Sequence, residues 1–180
     1  MILERKHVLR CIALIGVSSL LAACSSVQKT NDAAIDARDA SDSSLKGKTA
    51  IHHWQVQGTN LFVCSRDKKG YYWRYINTQG RVTNDKGQAV AELTTGNRIV
   101  TLSGTQISLR SPRLIERRGS ADLPDVLFEA QTFSNEPAYK GVLYISRRQA
   151  KGGLPLDGCS AGQYRQTLKV NYSARFVLWR

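Results

Sequence analysis

The chain has 180 residues, with 26 Lys or Arg against 14 Asp or Glu and a formal net charge of +12. That length holds one ordinary domain with appendages and excludes an assembly of several cores. So large a basic excess points to anionic partners and away from basic ones.

The chain begins with Arg5, Lys6 and Arg10, followed by the apolar run 11–23, which closes as Leu21-Ala22-Ala23-Cys24. A basic start, an apolar segment and small residues before a cut site predict a secretory signal over 1–23. This 13-residue run falls short of the ~20 a helix needs to cross a bilayer. Leu-Ala-Ala-Cys resembles a bacterial lipobox, whose cysteine is acylated and becomes the mature N-terminus. Cys24 is therefore the expected lipidation site, and the membrane is a partner through that anchor. Several acyl chains hold firmly because each buried methylene adds ~0.8 kcal/mol. Ser25 and Ser26 follow the cysteine; by analogy with lipoprotein sorting, the absence of Asp there favours the outer membrane of a Gram-negative envelope.

Residues 24–49 are rich in Ser, Ala, Asp and Lys and contain no aromatic side chain. Such a segment buries too little apolar surface to offset its ordering entropy. It reads as a flexible tether with an average reach of ~25–30 Å.

Residues 50–180 read as strands separated by turns. The run 52–56 alternates, Gly58 breaks the pattern, and 60–66 with 71–77 form a hairpin around Asp67-Lys68-Lys69-Gly70. Asn84-Asp85-Lys86-Gly87 marks the turn before a strand at 89–93, and Ser103-Gly104 joins 97–102 to 105–109 in a second hairpin. Residues 112–118 read as a charged edge segment. Strands are expected at 126–133 and 141–148, a break at Gly152-Gly153, and strands at 163–170 and 172–179. In the last of these, Tyr172, Ala174, Phe176 and Leu178 share one face and Ser173, Arg175, Val177 and Trp179 the other. No window carries an amphipathic helix of 12 or more residues. The expected fold is all-β: an antiparallel β-sandwich or small barrel, one domain over 50–180.

Cys11 leaves with the signal and Cys24 is lipidated, so Cys64 and Cys159 remain as an even pair in an oxidising compartment and read as one disulfide. Charge divides unevenly. The tether carries four basic and four acidic residues, whereas 50–180 carries 19 Lys or Arg against 9 Asp or Glu, net +10.

Two stretches carry a resemblance. One is Gln57-Gly58-Thr59-Asn60-Leu61-Phe62-Val63-Cys64 with the later Tyr72-Trp73. The other is Gly152-Gly153-Leu154-Pro155-Leu156-Asp157-Gly158-Cys159 with Val170-Asn171-Tyr172-Ser173-Ala174. Together they resemble the secreted bacterial and fungal family known as domain of unknown function 3455, over roughly 50–179. The resemblance implies a β-rich secreted domain with a Cys64–Cys159 bridge and implies no known activity. The family's mid-domain His, Gly-Pro and Trp have no counterpart in Glu92-Leu93-Thr94-Thr95-Gly96-Asn97, so a function resting on that segment does not carry over.

Catalytic chemistry finds little footing. His52 and His53 are the only histidines after the signal, and neighbours in a strand point to opposite faces, so they share no metal ion. Neither stands in a Ser–His pattern. Glu92, Glu116, Asp122, Asp125 and Glu129 lack the spacing of a paired-carboxylate site. Gly152-Gly153 lacks the further glycines and helix of a phosphate loop. The domain reads as non-enzymatic, with no cofactor, no metal and no catalytic residue.

Binding candidates are aromatic and basic. Tyr71, Tyr72, Trp73, Arg74 and Tyr75 interleave ring and charge, suited to stacking on sugars or pairing with phosphate; Tyr72 or Trp73 is expected to fill the core. Arg113, Arg117 and Arg118, with Arg147, Arg148 and Lys151, form two basic clusters at strand ends, either guarding an edge strand or binding a ligand. The candidate anion site is therefore Tyr71, Arg74, Arg117, Arg118, Arg147, Arg148 and Lys151. The expected partner is lipopolysaccharide, anionic lipid or a wall polymer; export excludes nucleic acid. The alternative is a protein-directed inhibitor of a lysozyme-type hydrolase, since small disulfide-bearing β lipoproteins of that kind are similar in size and anchoring. A net +10 domain disfavours it, because lysozymes are commonly basic.

Overall fold

The computed structural model of the protein describes residues 42–133 and 136–180. The signal, Cys24 and the tether up to residue 41 lie outside the described residues. Eight antiparallel strands follow one another around a closed barrel in chain order: β1 (Ala50–Asp67), β2 (Gly70–Asn84), β3 (Ala89–Thr94), β4 (Arg98–Thr101), β5 (Gln106–Glu116), β6 (Asp125–Phe133), β7 (Tyr144–Gly152) and β8 (Thr167–Trp179). The ring closes where β1 pairs with β8, from Ala50↔Trp179 to Val63↔Thr167. Both hairpin turns read from the sequence are present, Asp67↔Gly70 and the connection over Ser103-Gly104.

Eight strands enclose a bore just wide enough for side chains or one small ligand. Here side chains fill most of it: Trp54, Val56, Val82, Ile99, Ile107, Ile145, Phe176 and Leu178 form the interior core. Tyr172, Ala174, Phe176 and Leu178 all point inward, as the alternation of the last strand requires. The apolar set faces in, the reverse of a transmembrane barrel with its outward lipid-facing band.

Gly58 does not break the first strand; β1 runs through it unbroken. A Cβ at Gly58 would sit 2.6 Å from the Tyr172 ring and 2.8 Å from the Gln79 carbonyl oxygen. The glycine marks a close approach of ring to backbone rather than a turn. Gly152 and Gly153 do end β7, with φ of +74° and +95°, a region that glycine enters without steric penalty.

The segment 112–118 is not an edge. Arg113, Leu114 and Glu116 pair with β6, and a closed ring has no edge to protect. Two single-turn 3₁₀ helices, Ser43–Leu45 and Ala161–Gln163, complete the described structure.

The last residues of the expected tether pack on the barrel. Leu45, 1% exposed, covers an outer apolar patch of Leu127, Val177 and Trp179. Asp42 caps its turn by accepting from the Ser44 amide at 2.9 Å and from Arg113 Nη2 at 2.6 Å. Thr49 and Arg180 exchange two backbone hydrogen bonds, at 2.9 and 3.0 Å. Truncating a buried leucine such as Leu45 costs ~2–5 kcal/mol, so this strap is part of the folded body.

Candidate binding surfaces

The Cys64–Cys159 disulfide is formed, with Cα atoms 6.0 Å apart. It ties the β7–β8 connection to β1 at one end of the barrel. Around it, Cys64 and residues 165–166 exchange backbone hydrogen bonds, Cys64 donating to Gln166 O and accepting from Arg165 N, both at 2.9 Å.

The seven candidate residues form no single site: Arg118 and Lys151 line one hollow with Gln55, Asp122 and Arg175, Arg118 and Arg148 share Asp125, and the others lie apart. Tyr71 and Arg74 stand on the β1–β2 hairpin. Tyr71 meets Tyr164 edge to face at 6.0 Å and has Arg66 5.4 Å above its ring. Arg74 donates from Nε to Ser65 Oγ at 3.2 Å. Arg117 is exposed in the β5–β6 connection. Arg118 bridges Glu116 and Asp125, both at 3.0 Å. Lys151 is exposed on the outer wall.

Arg147 and Arg148 are not a surface pair. Successive strand residues point to opposite faces, so Arg147 reaches the bore and Arg148 the outside. Arg148 is 3% exposed, with Nε 3.8 Å from Asp125 Oδ2. Across the ladder it faces Arg175, whose Nη2 lies 3.7 Å from Asp85. Burial lowers the pKa of Arg175. Arg147 donates from Nε and Nη2 to Pro124 O, at 3.2 and 2.9 Å. Burial pulls its pKa down, opposed by Tyr172, Asp125 and Tyr75.

The aromatic run also departs from expectation. Tyr72 and Tyr75 are 39% and 42% exposed and Trp73 is half-buried, so neither Tyr72 nor Trp73 enters the core. The bulge between Leu61 and Phe62 brings Phe62 opposite Tyr75, and their rings meet edge to face at 5.9 Å.

Two other concavities are candidate binding surfaces. The first is an open groove of about 980 Å³ on the outer wall of β1, β2 and β8. Thr59, Asn77, Gln79 and Asn171 give it amide and hydroxyl groups, and Lys151 and Lys169 give it charge. Thr59 Oγ1 donates to Asn171 Oδ1 at 2.8 Å. No carboxylate lines it. Sequence reading found Lys151 but missed the rest. The signal was there as alternate polar residues, Gln57 and Thr59 on β1, Asn77 and Gln79 on β2, Lys169 and Asn171 on β8, which share one face only once the register is known.

The second is a half-enclosed cavity of about 350 Å³ at the disulfide-bearing end of the bore. Its wall is mostly apolar, with the Tyr172 hydroxyl 3.1 Å from Thr78 Oγ1. Burial raises the pKa values of Tyr75 and Tyr172.

Among the described residues, no three His, Cys, Asp or Glu side chains gather where they could hold a metal ion, and no helix is long and apolar enough to cross a membrane. No protein-family model, curated protein or solved structure matches the chain.

Proposed function

We propose that this protein is a lipid-anchored envelope protein related to the domain of unknown function 3455 family, and that its barrel binds an anionic envelope component without catalysing a reaction. Lysines in a groove of neutral amides suit a phosphorylated or carboxylated glycan: the amides bond hydroxyls and the lysines supply point charges. The observation that carries the reading is the outer groove, where Lys151 and Lys169 stand with no carboxylate in the lining. The lipobox at Leu21-Ala22-Ala23-Cys24 supports the anchor and the compartment.

The test uses the exported full chain carrying Cys24→Ser, titrated with lipopolysaccharide, anionic vesicles and peptidoglycan at low and high salt. Screening shortens from ~10 Å at 0.1 M to ~3 Å at 1 M, so binding should weaken steeply with salt. Lys151→Glu with Lys169→Glu should weaken it about tenfold or more at low salt. Absent binding at low salt, or binding indifferent to salt, overturns the reading.

A further inference from the structure

The cavity at the disulfide end has in its wall a guanidinium with no salt bridge among the described residues. Arg147 is the only charged side chain in its wall. A guanidinium has five N–H donors, and Arg147 directs two of its nitrogens at one acceptor, Pro124 O. Its remaining donors have no acceptor among the described residues. Asp125, which supports its charge without a direct contact, is bound through Oδ2 to Arg118 and Arg148. Arg147 is half-buried, and it stands beside open space rather than packed side chains.

The rest of the wall sets the shape of a ligand. Phe62, Leu93, Leu109, Phe128, Leu154 and Phe176 make it apolar, with the Arg147 guanidinium 5.7 Å from the Phe128 ring centroid. A volume of about 350 Å³ falls in the ~300–1,000 Å³ range of small-molecule sites. The mouth is preformed. Asn60 Nδ2 donates to Gly153 O at 2.9 Å, and the disulfide holds the same connection six residues later. A fixed mouth loses little ordering entropy on binding.

We propose that this cavity binds a medium-length fatty carboxylate, its head paired with Arg147 and its chain laid along the apolar wall. A carboxylate accepts two parallel N–H bonds from a guanidinium fork, and each methylene gains by leaving water. The site is separate from the outer groove and stands whether or not that groove binds an envelope polymer.

The test is calorimetric titration of the exported full chain carrying Cys24→Ser with octanoate, decanoate, dodecanoate and the neutral analogue decanol. Decanoate should bind saturably and at least tenfold more tightly than decanol, with affinity rising along the series until the cavity is full. Arg147→Gln should erase the preference for decanoate while keeping decanol binding. Lys151→Glu should leave decanoate affinity unchanged. If Arg147→Gln does not fold, the preference of the parent chain for decanoate over decanol decides alone. Equal affinity for decanoate and decanol, no saturable binding of either, or loss of decanoate binding in Lys151→Glu overturns the proposal.

Discussion

At one end of the barrel Trp54, Ile145 and Leu178 fill the bore, and Tyr139 from the β6–β7 connection packs in the same cluster. His52 stacks on Trp54 at 5.9 Å, and Tyr139 meets Trp54 edge to face at 5.9 Å. At the other end the same eight strands border about 350 Å³ of space, and the side chain that reaches into it is a charged one. Strand β8 passes from one regime to the other. Residues 167–171 alternate between exposed and half-buried, whereas 174–179 are buried on both faces. Inside they meet the core; outside, Val177 and Trp179 lie under Leu45. Packing on both faces makes the closed end the stability reservoir, and this leaves the open end room for a binding cavity. Local stability differs across a fold in this way, with binding regions at its low end.

The largest test of that contrast is Cys64→Ser with Cys159→Ser. The bridge closes a separation of 95 residues, worth ~4–5 kcal/mol in the chain-entropy account. Urea unfolding should show that loss. Hydrogen exchange should speed up first around residues 153–166, while β8 beyond Ala174 stays protected. Uniform loss of protection would show that the two ends are one cooperative unit.

Side-chain truncation sharpens the comparison. Leu178→Ala, at the closed end, empties a site 0% exposed and should cost ~2–5 kcal/mol. Tyr75→Ala, at the open end, removes a ring 42% exposed and one edge-to-face contact, worth ~1 kcal/mol. Equal losses in denaturant midpoint would erase the distinction.

The smallest effect concerns the strap. The Arg113 hydrogen bond, opposed by burial, holds the Asp42 pKa below its usual value. A carboxyl with a lower pKa folded than unfolded stabilises above its unfolded pKa and loses that contribution as pH falls through the folded one. Arg113 is half-exposed, so the pair is worth at most ~1 kcal/mol. The denaturant midpoint should therefore fall more between neutral pH and pH ~3 in the parent chain than in Arg113→Gln. Identical acid profiles would mean that the pair adds nothing to the strap.

Much of this architecture is legible locally. The turns at 67–70, 84–87 and 103–104 and the inward face of 172–178 follow from turn chemistry and a period of two. Closure is not, because β1 meets β8 across more than a hundred residues and no local signal encodes that pairing. Gly58 misleads for a related reason: the absence of a Cβ looks the same at a turn and at a close approach to Tyr172. Leu45 is one apolar residue in a polar segment, and its burial depends on a patch formed by Leu127, Val177 and Trp179. The Arg147–Arg148 pair is different. The rule that puts His52 and His53 on opposite faces applies equally to these two arginines, and grouping them by adjacency overrides it. Their separation by the strand gives one to the cavity and the other to Asp125.

The closing of the ring by its first and last strands bears on how the chain acquires its structure. β1 pairs with β2 across a tight local turn, but its other edge stays unsatisfied until residues 167–179 dock. Every shorter length of chain exposes two open strand edges, which are templates for pairing with other chains. Contacts of such sequence separation also slow folding. A chain of this topology is therefore vulnerable to aggregation wherever it folds, and protection by a chaperone matters most until β8 has docked.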